Sequence, residues 1–141
     1  MKYNLDCIRA VLMALETCLT ITKTEDEDGT WHFEHNEIWL QKLCEALPNH
    51  NFADVVYSVE KLEEAEFITV VCEEGVEDYP EFHRITSITY EGHEFLENIR
   101  EPKTLDILKE RAAKAGSVAL SFIGALSHAV CLDIALGKIV G

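Results

Sequence analysis

The apolar patterning of this sequence predicts a mostly helical α+β fold, on three observations. A strong helical stripe opens the chain. Two further helical stretches are followed by paired β-branched runs. A long uncharged helical stretch lies near the end. At 141 residues the chain suffices for one hydrophobic core and is short for two, and 48% apolar with 27% charged residues is a globular composition.

The first helix is expected to start at Asn4, a good capping residue, because Leu5, Ile8, Leu12, Leu15 and Leu19 recur at spacings of three and four. The run "TEDEDGTW" breaks it, with acids and Gly29 marking an exposed loop over 24–29, and "TWHFEH" reads as a small strand. Asn36 is placed to cap a second helix, "EIWLQKLCEAL", with Ile38, Trp39, Leu43 and Leu47 inward, and Pro48-Asn49 stops it. The third helix runs from about Phe52 to Glu66 and buries Val55, Val59 and Leu62. "FITVVCEE" and "FHRITSITY" flank Gly75 and Pro80 and read as a hairpin, after which Thr89 caps a helix carrying Phe95, Leu96 and Ile99. Helix, short strand, helix, helix, hairpin, helix is the order of a winged helix-turn-helix. The expected division is a winged-helix domain over 1–100 and a helical C-terminal extension over 101–141.

Charge narrows the function classes. The formal charge is −14, and residues 1–100 hold 22 acids and 7 bases against 4 acids and 5 bases in 101–141. In a winged helix the third helix enters the major groove, where bases are read by Arg, Lys, Asn and Gln. Here it carries Asp54, Glu60, Glu63, Glu64 and Glu66 against the single Lys61, and the wing "EEGVEDYPE" adds Glu73, Glu74, Glu77, Asp78 and Glu81. Duplex DNA presents about one negative charge per 1.7 Å of axis, so both elements have the sign that DNA repels. Glu60, Glu63, Glu64, Glu73, Glu74 and Asp78 are therefore expected to form a protein-binding acidic face for a partner with a basic surface, one version being imitation of nucleic acid. A DNA-binding transcription regulator is the alternative.

Chemistry-bearing motifs are weak. His32 and His35 have H-x-x-H spacing that Cys44 or His50 could extend, but on a strand positions three apart point to opposite faces. His93 beside Glu94 and Glu97 fits a mixed-charge helix surface better than an acid–base pair. With no nucleophile elbow, phosphate loop or dinucleotide fingerprint, neither an enzyme nor a cofactor is expected. Cys7, Cys18, Cys44, Cys72 and Cys131 are scattered in apolar runs, as buried free thiols in a reducing cytosol would be. Asp6 interrupts the opening apolar run, which does not read as a signal peptide, and a cytoplasmic protein is expected.

Residues 115–132 carry no charge. Ser117, Ser121, Ala125 and Ala129 repeat every four residues, a spacing that lets helices approach closely, beside a larger stripe of Leu120, Ile123, Leu126, Val130 and Ile134. Self-association is the leading expectation, giving a homo-oligomer, with packing on the chain's own domain next. Asp133, Lys138 and the polar residues of the stretch weigh against a membrane span.

"MKYNLDCIRAVLMALE", "VYSVEKLEEAEFI" and "ITYEGHEFLENIREPKTLDILKERAAKAGS" resemble the domain-of-unknown-function 2513 family, an uncharacterised group found largely in bacteria and their prophages and similar to small winged-helix proteins of the YjcQ type. The resemblance implies a fold and a phage or prophage setting, and no activity.

Overall fold

Asn4 opens the first helix as its side chain predicts. In the structure, a computed structural model describing residues 2–116 and 119–138, Asn4 Oδ1 accepts the amides of Asp6 and Cys7 at 2.9 and 3.3 Å. Helix α1 (Leu5–Cys18) buries Leu5, Ile8, Leu12 and Leu15.

The acidic loop expected over 24–29 is the tip of a hairpin. Strands β1 (Ile21–Glu25) and β2 (Trp31–His35) pair antiparallel with Lys23 opposite Phe33, and every residue of both is exposed. Asp26 accepts the Gly29 amide, and Gly29 turns the chain at φ 84°, in the left-handed region glycine enters freely. Strand β1 has no core-facing side, so no apolar alternation announced it.

The second helix starts later than Asn36. Ile38–Trp39 forms the short strand β3, held extended by pairing with Ile85 and Arg84, and helix α2 spans Leu40–Ala46. The Asn36 side-chain amide instead donates to the Thr20 and Thr22 hydroxyls at 2.6 and 2.9 Å, tying down the base of the hairpin. Trp39, expected inward, is 44% exposed; Leu40 takes the buried place and Leu43 is buried as expected.

Asn51 caps α3 (Phe52–Glu64), which buries Val55, Val59 and Leu62. Strands β4 (Ile68–Val71) and β5 (Arg84–Ile88) pair antiparallel, and the three-stranded sheet has the order β3-β5-β4. Thr89 caps α4 (Tyr90–Ile99), with Phe95, Leu96 and Ile99 buried. Helices α5 (Pro102–Ala115) and α6 (Leu120–Ala135) follow. The architecture is mixed α+β and mostly helical, with two small antiparallel sheets.

Helices α5 and α6 share a core with the elements before them. Leu105, Leu108, Leu120 and Ile123 belong to the same buried cluster as Ile8, Leu62 and Phe95. Polar links cross the expected boundary too. Lys109 reaches Asp6 at 2.6 Å, and Asn98 donates to the Ser127 hydroxyl at 3.1 Å. Within the first hundred residues, Arg9 donates to the carbonyls of Ile99 and Arg100 at the end of α4, where helix carbonyls lack internal partners.

Phe67 joins α3, α4 and α6. Glu66 adopts φ 62°, and the Phe67 amide bonds back to the Leu62 carbonyl, turning the chain sharply after α3. The Phe67 carbonyl accepts from the Thr89 amide at 3.0 Å and lies directly against Gly92, where a Cβ would come within 2.0 Å of the oxygen. Its ring packs on Phe95, with centroids 5.0 Å apart, and fits over Gly124 of α6.

Candidate functional site

Acids of α3 and of the segment joining β4 to β5 are exposed, and three of them act on the Cys72 thiol. Glu60, Glu63 and Glu64 are exposed on the outer side of α3, and Glu73, Glu74 and Asp78 are exposed on the joining segment. The Cys72 thiol is pushed up, first by reduced hydration and then by the carboxylates of Glu77, Glu73 and Glu63, so groups from both elements act on one point. Cys72 is itself exposed, against the expectation of burial. It lies one residue past the end of β4 and has left the sheet.

Two of these acids have basic partners: Glu64 pairs with Lys61 at 2.9 Å, and Glu73 lies 3.8 Å from Arg84. Glu77 folds back onto the Gly75 amide, and the backbone N–H groups of Glu77 and Gly75 hold its carboxyl below the ordinary range. A carboxylate already satisfied by backbone donors stays charged in mild acid.

Aromatic side chains accompany the acids, a feature the sequence reading passed over. Arg84 bonds Glu37 at 2.9 Å and lies over the Trp39 ring at 5.7 Å. On the joining segment Tyr79 and Phe82 make an edge-to-face pair 6.4 Å apart, and both are exposed. A shallow hollow of about 510 Å³ lies between α2 and the start of α3, with Phe52, Cys44, Glu45 and Glu81 among its walls. Exposed aromatics are enriched in protein interfaces because they bury much apolar area with few rotatable bonds. A sequence signal existed for Tyr79, which stands in the polar segment "EEGVEDYPE" with no strand or helix period to bury it; Phe82 reads with the strand run that follows.

Bases on this part of the chain are largely engaged internally. Arg9 serves the end of α4, Lys42 pairs with Glu45, and Arg84 is held by Glu37 and Trp39.

The tail residues divide between two sides of α6. Leu120, Ile123 and Val130 are buried against the chain's own core and Leu126 is half-buried, while Ser121, Ala125 and Ala129 are exposed. Ser117 lies outside the described residues. Ser127 is buried, donating to the Gly124 carbonyl at 2.6 Å and accepting from Asn98 at 3.1 Å. Ser121, Gly124, Ala125 and His128 form one wall of an open cleft of about 750 Å³, with Glu91 and Glu94 of α4 on the other.

His32 and His35 lie on β2, with His32 paired to Asp26, and His93 is exposed on α4. Among the described residues no group of three or more His, Cys, Asp or Glu side chains is arranged to hold a metal ion. Among the same residues no helix is long and apolar enough to cross a membrane.

Fold and face together define a mostly helical α+β protein that presents a mixed acidic and aromatic surface. The chain belongs to the family described as "Hypothetical protein (DUF2513)", whose family model matches residues 2–118. The match takes in α1 to α5 and stops short of α6. No curated protein and no solved structure matches.

Proposed function

We propose that this chain is a non-enzymatic interaction protein. Its first hundred residues form a winged helix whose acidic and aromatic face binds a protein with a basic surface, and its α6 associates with further copies. The observation that carries this reading is that Glu60, Glu63 and Glu64 of α3 and Glu73, Glu74 and Asp78 of the segment after β4 are all exposed, while the neighbouring bases Lys61 and Arg84 are held by carboxylates. In a winged helix the third helix and the wing are the two DNA-facing elements, and here they share one negative field. The sheet order β3-β5-β4 and the position of α2 and α3 support the winged-helix assignment. Exposed Trp39, Tyr79 and Phe82 supply apolar anchors that nucleic-acid imitation by charge alone would not need. The resemblance to prophage-borne proteins fits a phage or prophage accessory factor acting in the cytoplasm.

The DNA-binding alternative is tested by a gel shift with random duplex DNA at micromolar protein, repeated over a range of salt. The interaction reading predicts no shift. A shifted band that fades steeply with added salt would establish phosphate contacts and favour the regulator.

A further inference from the structure

The outward side of α6 carries a seam that the inward packing leaves open. Phe122, Ala125, Ala129, Leu132 and Leu136 follow one another at spacings of three, four, three and four, and all five are exposed. At 3.6 residues per turn this spacing draws a narrow line along one side of a helix, and here it runs opposite Leu120, Ile123 and Val130, which are buried. Phe122 is 49%, Leu132 48% and Leu136 67% exposed. A helix apolar on both sides is ordinarily covered on both.

We infer that the cover is α6 of a second copy, running antiparallel; this rests on the self-association reading above and fixes the surface and direction of the contact. Of the two stripes expected from sequence, the larger one turns inward through Leu120, Ile123 and Val130, and Ala125 and Ala129 of the small-residue stripe belong to this seam.

Shape and charge favour a second copy. With two helices antiparallel and centred between Ala125 and Ala129, Ala125 of each copy faces Ala129 of the other, and Phe122 faces Leu132. Small residues at the crossing point let the backbones approach, and the larger side chains fill the space where the helices diverge. The seam is thus complementary to itself, as a two-fold contact requires. Between Ser121 and Leu136 the exposed positions of α6 hold no Asp, Glu, Lys or Arg, so two strongly acidic chains can meet there without opposing charges. Direction follows from α4. Phe67 lies between Phe95 and Gly124, and Asn98 bonds Ser127, so α4 and α6 run the same way and Glu91 and Glu94 stand toward the Ser121 end, across the cleft. A parallel pair would bring both sets of carboxylates to one end, whereas an antiparallel pair separates them and carries Lys138 of each copy toward the other's Glu91 and Glu94.

The test uses full-length chains with Cys72→Ser to remove the exposed native thiol. Ala125→Cys and Ala129→Cys are oxidised separately and as a mixture, and cross-links are located by peptide mapping. A disulfide needs Cα atoms within about 7 Å. The antiparallel seam predicts a 125–129 cross-link in the mixture and little 125–125 product from Ala125→Cys alone. Efficient 125–125 cross-linking would overturn the antiparallel arrangement. Light scattering separates this from the parent reading: the unsubstituted chain should weigh at least twice 16.0 kDa, and Leu132→Lys, at an exposed position, should return it to a monomer with an unchanged circular dichroism spectrum. An oligomer indifferent to Leu132→Lys keeps self-association and refutes this seam. A monomeric unsubstituted chain refutes both.

Discussion

Gly92→Ala tests whether the corner at Phe67 holds the helices as described. Alanine is normally the better helix residue, by about 1 kcal/mol. Here its methyl would lie 2.0 Å from the Phe67 carbonyl oxygen and 2.8 Å from Ile88 Cγ2. The oxygen belongs to the backbone and cannot rotate away, so α4 must retreat by roughly 1 Å, with an overpacking penalty of about 1–3 kcal/mol. The same retreat strains two bonds, from the Thr89 amide to Phe67 O at 3.0 Å and from the Thr89 hydroxyl to Glu66 O at 2.7 Å. Each contributes about 1 kcal/mol. After the propensity gain, the expected net loss is about 2–4 kcal/mol, or a fall in Tm of roughly 5–15 °C for a chain of this size. Thermal and urea unfolding followed by circular dichroism would measure it, with exposed His93→Ala as a control expected within about 0.5 kcal/mol of the parent. A Gly92→Ala chain as stable as the parent, or more so, would show that α4 does not press on Phe67.

Three further outcomes are expected. Glu16 is held below the ordinary glutamate range, chiefly by its hydrogen bond to Arg100; a depressed folded value contributes stability above the unfolded value and loses it as pH falls through the folded one. Urea midpoints of the parent and Glu16→Gln should therefore differ at neutral pH and converge in acid, and a gap independent of pH would refute the pairing. Replacing residues 24–29 with a short Gly-Ser turn should leave Tm nearly unchanged, because the whole hairpin is exposed; a large fall would show that its tip docks. Phe67→Ala should destabilise by about 3–5 kcal/mol in urea unfolding, since its ring packs on both Phe95 and Gly124, and a loss under 1 kcal/mol would remove Phe67 as the joint.

Two helix starts with a side-chain cap were legible in sequence, Asn4 and Thr89 each accepting the amides their positions predict. Asn36, read as a cap, turns to Thr20 and Thr22, and the Asn51 cap of α3 was missed. Elements defined by partners distant in the chain were less so. Ile38 and Trp39 are extended because β5 lies beside them, and β1 is a strand because β2 is, although neither face of that hairpin is buried. Gly92 and Gly124 look alike in sequence to any helical glycine, and only their distances to Phe67 give them a purpose. In α6 the apolar residues run all round the helix, so periodicity alone could not say which stripe turns inward. Ser127, which breaks the apolar pattern, lies buried because Asn98 and the Gly124 carbonyl satisfy its hydroxyl. The acids of the candidate face were readable by count; the exposed pair of Tyr79 and Phe82 beside them was not.

Binding of a protein partner by the acidic and aromatic face is what distinguishes this function from DNA binding. It is tested most directly by comparing, from nuclease-treated host lysate, what is captured by the parent chain and by a folded variant with Glu60, Glu63, Glu73 and Glu74 all changed to Gln. At least one basic protein should be enriched by the parent, lost from the variant and released by added salt. Identical captures from both chains, or a basic protein captured only when the nuclease is omitted, would contradict it.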